Sequence, residues 1–280
     1  MSIAGLFFSM LNVGMNTSAM AVEQQEHARI MAMCHGLWSF GAMSGSALAS
    51  TCTGLGMLPV VFISLLAALV LGLSLVVRPA FMTIQNPDTG DATGPAFTWP
   101  TPLLWGLILI SMCTNLTEGS MADWAAVYMR EIVQAPAWMV GWGFAAYAFF
   151  MASGRFAGDV LLTKFGNRQV LQVGGGVAAA GLLLAITLPV VPGAILGFAM
   201  VGAGVSLGAP VLYGSAARVP GLAPGVGLAT LNTFAMLTFL TGPTIIGFVS
   251  RATNLRVALA VVAGAAVFWC WKAGSAVRDE

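Results

Sequence analysis

Charge is what this sequence has least of. Only 8% of its 280 residues are Asp, Glu, Lys or Arg, where soluble domains carry roughly a quarter, and that scarcity excludes a freely soluble globular chain. Histidine is scarcer still, with His27 and His35 alone, and the four cysteines (Cys34, Cys52, Cys113 and Cys270) are scattered without a CxxC spacing. Neither a metal site nor a disulfide framework is expected from them. The 11 basic and 10 acidic residues nearly cancel and form no Lys/Arg cluster, so no nucleic-acid partner is expected. No phosphate-binding loop is present either. The glycines at 174–176 and in VGAGVSLGAP (201–210) lack the lysine that would reach a phosphate, and they lie in apolar stretches where small residues let helices approach. With no nucleophile–base pair in view, the chain is not expected to be an enzyme or to hold a cofactor. No Lys or Arg precedes Arg29, which argues against a secretory signal at the N-terminus.

What is abundant is apolar side chain, 58% of the total, in runs of about 20 residues, the length a helix needs to cross roughly 30 Å of hydrocarbon. Unalternating runs of that length exclude a membrane barrel. Hydropathy and helix breakers predict an all-α membrane bundle of nine spans, at 1–22, 30–52, 56–77, 102–127, 137–157, 169–189, 193–215, 224–249 and 255–272. The one long polar connection, rich in Pro, Gly, Asp and Thr, divides the chain into residues 1–77, a linker at 78–101, and residues 102–280. Basic residues set the orientation. Eight (Arg29, Arg78, Arg155, Lys164, Arg168, Arg218, Lys272 and Arg278) fall on one side and three (Arg130, Arg251 and Arg256) on the other, which predicts a cytoplasmic linker and C-terminus. The loops holding Arg29 and Arg218 lie about 190 residues apart, an offset that pairs spans 1–3 with spans 7–9, as in a transporter of two six-span halves, and leaves spans 4–6 without counterparts.

Four stretches carry a family resemblance. GRFAGDVLLTKFGNRQV (154–170) resembles the cytoplasmic-loop motif of the major facilitator superfamily, G-x-x-x-D-x-x-G-x-[RK], with the interval from Asp159 to Gly166 longer than in the commonest form. MNTSAMAVEQQEHARIMAMCHGLWSFGAMSGSALAS (15–50), TEGSMADWAAVYMRE (117–131) and TGPTIIGF (241–248) resemble the fucose-permease-like branch of that superfamily, whose bacterial members include many of unassigned substrate. The resemblance implies a twelve-span facilitator of which this chain matches helices four to twelve, with residues 1–77 the partial N-terminal half and 102–280 the complete C-terminal half. Three further helices are expected ahead of it, from a truncation or a late start. It also implies a gate in which Gly154, Arg155, Gly158, Asp159, Lys164, Gly166 and Arg168 close the cytoplasmic side, with Asp159 facing a helix that begins after RVPGLAPG (218–225) and with Arg155 and Arg168 as its salt-bridge partners. Solvated anchors obeying the positive-inside bias are the plainer reading of the same residues.

Within the spans, Glu118 is the sharpest residue. It lies roughly 22 Å along its helix from Leu103, where a carboxylate normally faces a cavity or a partner. Thr114 and Asn115 stack on one helical face with it. That polar stripe predicts a water-filled path, with Glu118 as the group that takes up and releases a coupling proton. Its alternative is a carboxyl satisfied by neighbouring helices. Asp123 is a further candidate for the same path, but it falls nearer the outer rim, where a contact to Arg130 would explain it equally well. Asn16, His35, Trp38 and Asn232 are candidate contacts for a sugar-like solute, or simply helix-bridging hydrogen bonders. The expected function is secondary transport of a small polar solute in a bacterial inner membrane, with protons as coupling partner and the bilayer as surroundings. A non-transporting remnant, a sensing or partner-binding membrane protein, and an efflux carrier remain as alternatives.

Overall fold

The computed structural model describes residues 31–81, 99–222 and 226–277, with isolated positions between 7 and 26. It is helical throughout those residues. In chain order the helices are α1 (Met31–Gly54), α2 (Pro59–Phe81), α3 (Pro102–Glu131), a 3-10 turn at Ala137–Met139, α4 (Trp142–Phe156), α5 (Gly158–Thr187), α6 (Val191–Val205), α7 (Gly208–Ala217), α8 (Val226–Ala252) and α9 (Leu255–Ala276). Five stretches are long and apolar enough to cross a membrane: Pro59–Ala80, Val160–Thr187, Val191–Ala217, Val226–Ala252 and Leu255–Ala276. The chain is an integral membrane protein. The span expected at 137–157 differs in detail, because a 3-10 turn occupies its start and α4 has only 15 residues, about 22 Å of helix.

Local chemistry explains the helix ends. Thr101 caps α3, its hydroxyl accepting from the Leu104 amide at 3.3 Å, with Pro102 in the first turn. Asn254 caps α9 in the same way through the Val257 amide at 3.0 Å. The span predicted at 193–215 is interrupted at Ser206–Leu207, between α6 and α7. Pro210 accounts for the interruption, since it has no N–H to offer the Ser206 carbonyl four residues before it. Within α5 the backbone breaks at Gly166, whose φ of 75° and ψ of 163° lie in a region open essentially to glycine alone.

The core lies among α3, α4, α5, α6 and α9, and its largest sealed side chains include Trp269, Tyr128, Phe198 and Leu104. Small residues let the helices approach. A Cβ on Gly174 would meet the Gly204 carbonyl of α6, and one on Gly175 the Cys270 backbone of α9, so this glycine run is a packing surface. Tyr128 fills a specific vacancy. Residue 189 is proline, so the Ala185 carbonyl lacks an amide donor four residues on, and the Tyr128 hydroxyl donates to it at 2.7 Å instead. Tyr128→Phe leaves that buried acceptor unpaired and should destabilise the bundle by about 1–3 kcal/mol, read as an earlier thermal midpoint in detergent.

α1 and α2 are less enclosed. α1 runs against α4 and the 3-10 turn through serines on one face: Ser46 donates to the Gly141 carbonyl at 2.9 Å, while Ser50 accepts from the Gly141 amide at 2.9 Å and donates to the Ala137 carbonyl at 3.0 Å. α2 makes its main contact with α1 and leaves nearly every side chain from Leu58 to Ala80 exposed. An apolar surface of that extent is at home in hydrocarbon.

Candidate functional site

Glu118 stands about 24 Å along α3 from Pro102, close to the midpoint of that 30-residue helix. Its Oε1 lies 3.8 Å from Nη2 of Arg155, and the two side chains are 24% and 18% exposed. At that distance the contact is an ion pair, not a tight charge-assisted hydrogen bond, which would measure about 2.7–2.9 Å. Nη1 of Arg155 donates to Ser39 Oγ of α1 at 3.1 Å. One guanidinium thus joins α4 to both α3 and α1. The phenols of Tyr147 on α4 and Tyr213 on α7 lie within electrostatic reach of Glu118. Tyr213 in turn donates to Asn232 Oδ1 of α8 at 3.3 Å. Polar contacts thus run from the Glu118–Arg155 pair to Ser39 of α1, and from Tyr213 of α7 to Asn232 of α8.

The polar stripe on α3 is narrower than expected. The hydroxyls of Thr114, Thr117 and Ser120 are turned back onto carbonyls of their own helix, at 2.9, 2.8 and 2.6 Å, and all three residues are buried. Their donor protons are thereby engaged within α3. Asn115 donates to the Ser111 carbonyl at 2.8 Å but remains half-buried, beside Glu118. Asp123 is exposed. The Arg130 contact weighed for it goes elsewhere, because Arg130 pairs with Glu131 at 3.2 Å, with both side chains more than half exposed. Such a pair contributes little.

The loop residues separate into different places. Arg155, grouped by sequence with the gate, belongs to the last turn of α4 and turns towards Glu118 and Ser39. Gly154 packs on the interruption between α6 and α7, where an added Cβ would collide with the side chain of Ser206. Gly158 is buried at the start of α5 and Gly166 makes the backbone break described above. Lys164 is exposed, with its ammonium 5.3 Å from the Phe165 ring centre, and Arg168 lies against α9 near Gly274. The side chain of Asp159 is outside the described residues, as are the side chain of His35 and the whole of Asn16. Trp38 is exposed on α1, beside Ser39 in sequence, and Asn232 is exposed on α8.

Gly154→Ala should destabilise the protein by about 1–3 kcal/mol through overpacking. Combining it with Ser206→Gly, which empties the colliding volume, should recover much of that loss. A thermal denaturation series on the two single variants and the double variant measures the coupling.

Sequence reasoning missed Ser39, Tyr147 and Tyr213. A usable signal existed for the tyrosines, since the chain has only three and a phenol in a membrane helix needs a polar neighbour. Nothing in the sequence marks Ser39 among the other serines of α1. A separate open groove of about 470 Å³ lies between the far ends of α3 and α8, lined in part by Trp124, Glu131, Thr244 and Arg251. No group of three or more metal-ligating side chains occurs among the described residues.

No protein-family model matches the chain. Curated relatives do. An uncharacterized MFS-type transporter of Yersinia pestis is 30% identical over 261 residues, covering 93% of this chain and 67% of the relative. Membrane protein MosC of Rhizobium meliloti is 28% identical, covering 93% of this chain and 63% of the relative, and an uncharacterized transporter of Sinorhizobium fredii is 27% identical, covering 92% and 68%. The chain thus spans about two thirds of the length of these relatives, two of which are named as transporters. An apolar helical bundle with a Glu–Arg pair among its helices, matched along nearly its whole length by such relatives, belongs to the major facilitator superfamily.

Proposed function

We propose that this protein is a secondary active transporter, moving a small polar solute across a bacterial inner membrane by alternating access in symport with protons. The observation that carries the reading is the contact between Glu118 and Arg155, two ionisable side chains only partly exposed in an otherwise apolar bundle. Charges at such positions are costly and mark pathways for ions or solutes. Glu118 is the proton-coupling group of this reading, with Asn115 beside it. Trp38, Asn232 and, by their sequence positions, Asn16 and His35 are its candidate solute contacts. Resemblance to fucose-permease-like carriers makes a sugar-like molecule the solute class. Residues 1–77 and 102–280 act as the two moving parts, joined by the linker at 78–101, with the linker and C-terminus cytoplasmic. Gly154, Gly158, Asp159, Lys164, Gly166 and Arg168 form the cytoplasmic closure. Arg155 belongs to the path and not to that closure.

The test is uptake into proteoliposomes containing the purified chain, with and without an inward proton gradient, screened over radiolabelled sugars and sugar acids. Accumulation that requires the gradient supports the reading. A folded, reconstituted chain that moves none of them in either direction refutes it.

A further inference from the structure

The charges around Glu118 bear on what the solute carries, an inference that rests on the transporter reading above. Among the described residues, the groups facing Glu118 that bear charge or titrate are Arg155 and Tyr147 from α4 and Tyr213 from α7. The described stretches of α6 and α8 place no acid or base beside it, and Lys272 of α9 lies against Gly106, three turns nearer the start of α3. Counted over the described residues, which do not include the His35 side chain one turn from Ser39 on α1, the site is therefore electrically neutral when Glu118 is ionised. It carries one positive charge when Glu118 is protonated, because arginine stays charged throughout the accessible pH range. An unpaired guanidinium in such surroundings is costly, so proton uptake by Glu118 creates a demand for a replacement anion.

Geometry shows where that anion fits. Arg155 has five N–H donors in a planar fork, and its described contacts are one hydrogen bond to Ser39 and one loose contact to Glu118. The 3.8 Å separation leaves the Glu118 side of the fork available for a tighter, bidentate partner, the geometry carboxylates adopt with arginine. Tyr213 and Asn232 stand on neighbouring helices as a neutral polar pair suited to hydroxyls. We infer that the solute is a monoanion, a small hydroxy-carboxylate, whose carboxylate replaces Glu118 on Arg155 as Glu118 takes up one proton. The step balances: one proton joins one Glu118 oxygen, the ion pair Glu118–Arg155 gives way to a solute–Arg155 pair, and no net charge enters with the loaded site. Proton and solute bind cooperatively, since each removes the penalty the other would meet alone.

The experiment uses the full chain in detergent and in proteoliposomes, with lactate and gluconate as anionic probes and glycerol and glucose as size-matched neutral ones. Lactate or gluconate should raise the thermal midpoint where the neutral partners do not. Affinity should strengthen by up to about tenfold for each unit of falling pH, with one proton taken up per anion bound. Glu118→Gln should bind the anions with no pH dependence, and Arg155→Gln should lose them. The double variant Glu118→Gln/Arg155→Gln, which leaves no charge unpaired, serves as the folded control and should also bind no anion. Preference for glucose or glycerol, anion binding that survives Arg155→Gln, or no binding of either anion overturns the inference. Gradient-driven glucose uptake would overturn it while leaving the transporter reading intact. Anion binding without movement across the bilayer would do the reverse.

Discussion

Glu118→Gln should abolish gradient-driven accumulation, reducing it to the level of protein-free vesicles, while solute exchange between equal pH on both sides continues. Glutamine keeps the size and polarity of the side chain but cannot take up or release a proton. The loaded and unloaded carrier then differ by solute alone, and a pH gradient has nothing to act on. Exchange survives because it requires only that the loaded carrier reorient. The two rates, measured in the same vesicle preparation, separate this outcome from general damage. Loss of exchange and accumulation together would mean that Glu118 holds the fold or the solute, whereas accumulation equal to the parent's would remove it from the coupling step.

Gly202→Val should be as damaging by an unrelated route. An added Cβ at Gly202 would run into the Tyr147 carbonyl and come within 3.1 Å of the Met151 amide. Both are backbone atoms of α4, so no rotamer change relieves the collision, and the whole helix must move away from α6. The cost should be on the order of 3 kcal/mol. The displaced helix carries both Tyr147 and Arg155, so whatever folded protein remains should also show weakened transport. Thermal aggregation in detergent reports the first effect, and uptake normalised to folded protein reports the second. Gly202→Ala should fall between the parent and the valine variant.

The sequence made the membrane class and the family plain, because both rest on local signals: long apolar runs for the first, and short motifs for the second. Glu118 was legible for the same reason, as a carboxylate in a greasy run. Arg155 was legible as a charge but not in its direction. Four residues from Asp159 in a motif-bearing loop, it reads as part of that loop, and only the packing of α4 between α3 and α1 turns its guanidinium inward. Thr114 shows the limit of periodicity from the other side. On a helical wheel it shares a face with Glu118, yet its hydroxyl donates to its own helix, and periodicity does not report that. Ser39 was invisible because its role depends on a contact between residues 116 positions apart.

The interruption at Ser206–Leu207 divides labour within what would otherwise be one rod. Above it, α6 is locked to α4 and α5 by close backbone contacts such as Gly202 on Tyr147 and Gly204 on Gly174. Below it, α7 has only ten residues, and it meets α3 where Gly208 touches Thr114. Val211, Leu212 and Ala216 of α7 are themselves buried, so the break interrupts the helix without freeing its end, and Tyr213 on that short segment holds Asn232 of α8. The polar link from the surroundings of Glu118 to α8 therefore runs through ten residues on the far side of a proline break, not through the long rods of the core.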